Sequence, residues 1–240
     1  LFDLEQEFPE LVTSDSPTQR VAGKPLKKFE KFTHPERMFS FNDAFSEGDM
    51  SDWEKRLKRL DPKAVESGYY CELKIDGLAI ELVYEDGVLK VGATRGDGTI
   101  GENVTQNLKT GEAIPFSLDS KLTRGTLVVR GLVVRGEVFL SKKEFEKINK
   151  EQKKKGEVVY ANPRNLVAGS IRQLDPAITA IRRLDSFAYS LKTDFGQKVH
   201  EDEHKILKEL GFKTNPHNKY CKNLKEVQKF RDYWEKHREN

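Results

Sequence analysis

Three short stretches carry charged residues of the kind that handle phosphates: Cys71-Glu72-Leu73-Lys74-Ile75-Asp76-Gly77, Ala93-Thr94-Arg95-Gly96-Asp97-Gly98 and Val134-Arg135-Gly136-Glu137-Val138-Phe139. In the first, Cys71, Leu73 and Ile75 alternate with Glu72, Lys74 and Asp76, and a strand's period of two sends such sets to opposite faces. A lysine with carboxylates at i−2 and i+2 suits two roles, a salt-bridged residue on a sheet surface or a nucleophile. The second role needs the free amine. Because an ordinary lysine with pKa of about 10.4 is protonated at neutral pH, desolvation or neighbouring cations must favour loss of that proton. Arg95 has the right sign for this, whereas Glu72 and Asp76 oppose it unless they are aimed at ligand groups. Gly77, Gly96, Gly98 and Gly136 leave room for a backbone or ligand to come close, which a surface salt bridge does not require.

The elements that must position these residues follow from pattern. Pro9, Pro17, Pro25 and Pro35 among Ser, Thr and Asp mark an extended arm over residues 1–35. A helix is predicted from Ser51, with Trp53, Leu57 and Leu60 as its stripe and Asp61-Pro62 as its stop. Strands are predicted over 69–84 and 88–94, joined at Glu85-Asp86-Gly87 by a hairpin turn. The next strand, 127–140, contains Leu-Val-Val-Arg-Gly twice in succession, an odd repeat that reverses the faces unless a bulge at Gly131 absorbs it. Ser141 and Glu144 form a capping box for a helix with Phe145 and Ile148 on its apolar face. A loop at 162–165 leads into a short helix ending before Pro176; a strand at 186–191 and amphipathic helices at 200–210 and 223–236 complete the pattern. Hairpins mixed with helices, without regular βαβ units, indicate the α+β class.

Apolar residues make up 36% and charged residues 34% of the 240, which implies a modest core under a highly charged surface. No run approaches the roughly 20 apolar residues of a membrane span and no signal-peptide pattern opens the chain, so a cytoplasmic, membrane-free monomer is expected. Two cysteines, Cys71 and Cys221, are too few for a disulfide framework or a cysteine-rich zinc site. The net charge of +3 is mild, but basic residues cluster at 24–31, 56–59 and 150–155, which permits contact with phosphate backbones. His200-Glu201-Asp202-Glu203-His204 satisfies HExxH, the zinc-hydrolase pattern. Its flanks are polar and no third ligand follows, so a solvated helix face is expected, with solubility as the one property that His204 serves.

Lys74-Ile75-Asp76-Gly77 resembles the KxDG motif of covalent nucleotidyltransferases, the superfamily of DNA ligases, RNA ligases and mRNA-capping enzymes. With its surroundings, the other two stretches, Ala161-Asn162-Pro163-Arg164-Asn165 through Asp175, and the upstream segment 15–21, the chain resembles in order the bacterial NAD-dependent DNA ligases. The resemblance implies the nucleotidyltransferase fold, α+β with antiparallel sheets enclosing the nucleotide and Lys74 between them, over residues 36–240. It implies that Lys74 attacks the α-phosphate of NAD and carries AMP, which is then used to seal nicked duplex DNA in replication and repair. Glu72 would bond the adenine, Arg95 the nucleotide, and Glu137 the ribose or the metal-dependent step. Ser40 and Phe41 match a loop that closes over the nucleotide, although the family usually has leucine where Phe39 and Phe41 stand. Mg²⁺ is implied by the chemistry with no metal-ligand residue assigned. The two further lysines that the family places downstream are not found, and Tyr233-Trp234-Glu235-Lys236-His237-Arg238-Glu239-Asn240 resembles the helix before the first of them. The chain is therefore read as a domain incomplete at both ends and impaired toward NAD. The alternatives are an inert nucleic-acid-binding remnant and, on the HExxH pattern, a zinc hydrolase.

Overall fold

The computed structural model describes residues 1–13, 16, 18, 26–118 and 131–238. Along the chain the elements are α1 (Phe2–Glu7), a 3-10 turn (Pro9–Leu11), β1 (Lys31–Thr33), α2 (Glu47–Leu60), β2 (Tyr69–Cys71), β3 (Leu78–Glu85), β4 (Val88–Thr94) and β5 (Ile100–Glu102). They continue with α3 (Thr105–Lys109), β6 (Leu132–Phe139), α4 (Lys142–Lys155), α5 (Pro163–Ile171), α6 (Pro176–Ala180), β7 (Asp185–Leu191), α7 (His200–Glu209), β8 (Lys219–Cys221) and α8 (Leu224–His237). The residues form two compact units, one of Leu1–Met38 with Ile75–Thr214 and the other of Phe39–Lys74 with Asn215–Asn240.

The first unit is built on an antiparallel sheet in the order β4-β3-β6-β7. Asp86 (φ 50°) and Gly87 (φ 77°) make the β3–β4 turn, the pair of positive angles that a two-residue hairpin needs. On β3, Ile80, Leu82 and Tyr84 point into the core; on β6 Val134 stands opposite Leu82 and Leu132 opposite Tyr84, and Val138, opposite Leu78, joins the same cluster. Leu166, Val167 and Ile171 of α5 and Leu207 and Leu210 from the α7 end cover the cluster. Each such side chain contributes about 1.5–3 kcal/mol on burial. Tyr84 spends its hydroxyl on the Pro115 carbonyl at 2.7 Å, so its ring enters the core without an unsatisfied group. In the second unit β2 and β8 pair antiparallel, and Trp53 of α2 packs at 5.9 Å on Tyr69, whose hydroxyl donates to Glu54.

Several boundaries differ from expectation for physical reasons. α2 starts at Glu47, four residues before Ser51, because Ser46 and Asp49 form a reciprocal capping box. Within the segment expected to be extended, Phe2–Glu7 is helical. The strand expected over 69–84 is broken: β2 ends at Cys71 and β3 begins at Leu78, so Glu72 to Gly77 lie outside any strand and the alternation around Lys74 does not sort them onto sheet faces. Residues 127–130 of the duplicated segment lie outside the described residues; Gly131 has φ 107°, and the register shift falls between Arg135 and Gly136 against β7. Asp175 caps an additional helix, α6, begun by Pro176 itself, whose missing N–H costs nothing at a first turn.

Candidate functional site

The face of the β4-β3-β6-β7 sheet turned away from the core carries charged side chains in the first unit. On β3 this face presents Ala79, Glu81 and Val83, opposite Glu137, Arg135 and Val133 on β6. Arg95 donates its amide to the Ala79 carbonyl at 3.1 Å, so Arg95 and Glu137 flank the small Ala79 from either side.

Both residues are fixed by unusual backbone. Glu137 Oε1 accepts the Gly77 amide at 3.1 Å, and a Cβ on Gly77 would meet the Val138 carbonyl oxygen at 2.0 Å. Arg95 begins a tight turn in which Gly96 has φ 57° and Gly98 φ 92°, with the Gly98 amide donating to the Arg95 carbonyl at 3.0 Å. The turn is closed by Asp97, whose Oδ1 accepts the Thr99 and Ile100 amides at 2.8 Å each. Those amides, the Ile100 one foremost, hold the Asp97 carboxyl below its usual range.

The first unit also contains groups that motif reading left without roles. Asp76 pairs with Arg164, at the first turn of α5, at 3.0 Å, and Arg172 at the end of the same helix pairs with Glu102 at 2.7 Å. Arg164 and Arg172 were visible in the 161–175 motif, but their carboxylate partners lie 88 and 70 residues away.

The HExxH helix departs from the solvated face expected of it. His204 is buried at 3% exposure beside Leu207, because α7 lays that side of the helix onto β7 and the core. His200 and His204 rings meet edge to face at 5.0 Å. Glu201, the residue that would be the base in that pattern, reaches Lys205 at 3.8 Å. Glu203 accepts the Leu191 amide at 2.8 Å; burial works against its charge, but bonds from His200 and that amide outweigh it and lower its pKa.

Ser40, Phe41, Glu72 and Lys74 belong to the second unit. Phe41 is 86% exposed, Ser40 and Lys74 are exposed, and Glu72 is half-buried with Oε1 accepting from Asn218 Nδ2 at 3.2 Å. One residue before Glu72, the Cys71 sulfur lies 3.6 Å from that of Cys221 across the β2–β8 ladder. Burial, with the neighbouring Cys221, pushes the Cys71 thiol up to about 12.

The sequence profile described as the NAD-dependent DNA ligase adenylation domain matches residues 26–240, and one described as a DNA ligase-like, N-terminal NAD+-binding domain matches residues 1–22. The chain belongs to the NAD-dependent DNA ligase adenylation domain family. It is 50% identical over 229 residues to the DNA ligase of Thermoanaerobacter pseudethanolicus, covering 95% of this chain and 33% of that protein. It is also 50% identical over 226 residues to the DNA ligase of Acetivibrio thermocellus, with 93% and 33% covered, and 46% identical over 243 residues to that of Bacillus cytotoxicus, with 100% and 35% covered. The chain thus spans about a third of the length of these curated relatives. The α+β nucleotidyltransferase class expected from the ordered motifs is that of this family, and the mixed helices and antiparallel sheets agree with it. The match supports neither the zinc-hydrolase nor the inert-remnant alternative.

Proposed function

We propose that this chain carries out the adenylation half of an NAD-dependent DNA ligation, with residues 36–240 as its catalytic body. The observation that carries the reading is the match to the family over 26–240, which includes Lys74 in KxDG. In this reading the free Lys74 amine attacks the α-phosphorus of NAD. A phosphorus–nitrogen bond forms, the bond to the departing nicotinamide mononucleotide breaks, and the nitrogen gives up its proton. The AMP then passes to the 5′-phosphate of a nick, and attack by the 3′-hydroxyl seals the strand and releases AMP. Such transfers depend mainly on positioning and charge neutralisation.

The residues of this chain suit those tasks. The Arg95 guanidinium answers a phosphate and the Glu137 carboxylate accepts ribose hydroxyls, with the small Ala79 between them in the sheet register. Glu72, held by Asn218, is assigned to the adenine amine. Ser40 and Phe41 are assigned to cover the nucleotide. Mg²⁺ would screen the phosphates, and no residue here is given to it. The partner is nicked duplex DNA in replication and repair, and the protein works as a cytoplasmic monomer. Among the described residues no helix is long and apolar enough to cross a membrane.

The test is the intact mass of the chain after incubation with Mg²⁺ and either NAD or ATP, beside Lys74→Ala. The expected result is an AMP adduct, slowly formed, from NAD alone and absent from Lys74→Ala. An adduct that persists in Lys74→Ala removes the nucleophile, an adduct from ATP removes the cofactor assignment, and no adduct at all overturns the catalytic reading.

A further inference from the structure

The sheet face that presents Arg95 and Glu137 carries a second ionic cluster one step along the strands. Glu81, two residues after Ala79, and His34 both have fully buried side chains. The two oxygens of Glu81 are divided between partners: Oε1 lies 2.8 Å from His34 Nδ1, and Oε2 accepts from Arg135 Nε at 2.8 Å. Arg135 continues outward, donating Nη2–H to the Glu36 carbonyl at 2.5 Å and Nη1–H to the Arg37 carbonyl at 3.4 Å. On the other side of the ring, His34 Nε2 lies 3.1 Å from the Arg95 carbonyl.

Both imidazole nitrogens therefore face oxygen acceptors. Glu81 lies between His34 and Arg135, so the imidazole is tied to the sheet through one nitrogen and to the Arg95 turn through the other. The register of Glu81 places Arg135 directly across from it, so neither partner can slip along the strand. The Arg95 carbonyl receives His34 together with the Gly98 amide, and Gly98 is itself held by Met38, whose amide donates to the Gly98 carbonyl at 2.8 Å. These struts end on Arg95 or on the backbone of residues 36–38, and the His34 amide is held separately by the Thr99 carbonyl at 2.9 Å.

We propose that His34 is a positioning residue for the nucleotide: clamped by Glu81 and Arg135, its ring fixes the main chain of Arg95 and so aims the Arg95 guanidinium over Ala79 and Glu137. The proposal rests on the reading of that face as a nucleotide site, and the test separates the two. AMP, which cannot react, is titrated by NMR into the wild-type chain, His34→Gln, Glu81→Gln, Arg95→Ala and the double variant His34→Gln/Arg95→Ala. His34→Gln and Glu81→Gln should each weaken AMP binding about tenfold, while His34→Gln added to Arg95→Ala should cost less than about twofold more, because residues acting through one another are not additive. Glu81→Gln should also move the Arg95 amide resonance, because the His34 ring contacts the Arg95 carbonyl.

Full additivity of the His34 and Arg95 effects would show a separate, merely structural role and overturn the proposal, as would an Arg95 amide resonance that Glu81→Gln leaves unmoved. If Arg95→Ala weakens AMP binding and both clamp variants leave it unchanged, this inference alone falls. A wild-type chain that binds no AMP removes the nucleotide face and the inference together. Should His34→Gln fail to fold, Glu81→Gln and the Arg95 amide resonance still decide.

Discussion

Gly77→Ala concentrates several of these arguments in one methyl group. The added Cβ would lie 2.0 Å from the Val138 carbonyl oxygen and 2.9 Å from its carbon. That carbonyl belongs to β6, paired on both sides, with Val138 opposite Leu78 on β3 and Ser186 on β7, so it cannot swing away as a side chain would. Relief must come from pulling the entry of β3 off the sheet, which also strains the Gly77 amide bond to Glu137. Forced overpacking costs about 1–3 kcal/mol and a hydrogen bond to a charged group about 1.5–3 kcal/mol, so a loss of about 3–5 kcal/mol is expected. For a chain of this size that lowers the thermal midpoint by about 10 °C. Calorimetry reads the midpoint, and intact mass after NAD reads the adduct at Lys74, three residues upstream, which should fall more than tenfold by the displacement of a reacting group. A Gly77→Ala chain that melts within about 2 °C of wild type and labels at the same rate would refute the reasoning, because the sheet would then have absorbed the methyl without moving.

Gly169→Ala provides the opposite case: its Cβ would meet nothing within 4 Å in the exposed middle of α5, so the helix should gain about 1 kcal/mol, seen as a raised denaturation midpoint. Cys71, with its thiol pushed up to about 12 by burial, should react slowly with iodoacetamide at neutral pH in the folded chain and at the ordinary rate in urea. The folded state keeps a proton that the unfolded thiol loses near its ordinary value of 9.0, so this contribution to stability is complete below that value and declines as pH rises through it toward about 12, measurable as falling urea midpoints. His204→Ala should cost about 2 kcal/mol in the same assay, since it truncates a buried side chain rather than a solvated one.

What the amino-acid order made legible was local. Asp86-Gly87 announced its hairpin because both positions must adopt positive φ, and Ser141 accepts the Glu144 amide as a cap does, whereas the caps Asn162 and Asn223 look in the sequence like part of a loop and the first residue of a helix. The alternation from Cys71 to Asp76 misled, because a loop can spell a strand's pattern when nothing pairs with it. β8 spans three residues, too few for any period to show. The clamp on Glu81 was out of reach for a different reason: its partners lie 47 and 54 residues away, and each looks like an ordinary surface charge until the fold removes water from around it. For His204 the polar flanks were read correctly, but one side of an amphipathic helix always points inward.

The β2–β8 pairing sets an order of birth. Cys71 and Cys221 are 150 residues apart, and the first unit occupies the chain between them. At the usual 5–20 residues per second a ribosome needs roughly 10–30 s to travel from one strand to the other. During that interval β2 has made its hydrogen-bonding edge but not its partner, and an unpaired edge is open to stray pairing. Closing so long a loop by diffusion also carries an entropic charge that grows with the logarithm of its length. Of the two units, the one that bears Lys74 therefore closes second although its first half is made early, and a nascent chain that stalls before Cys221 holds Lys74 without the β2–β8 ladder of its own unit.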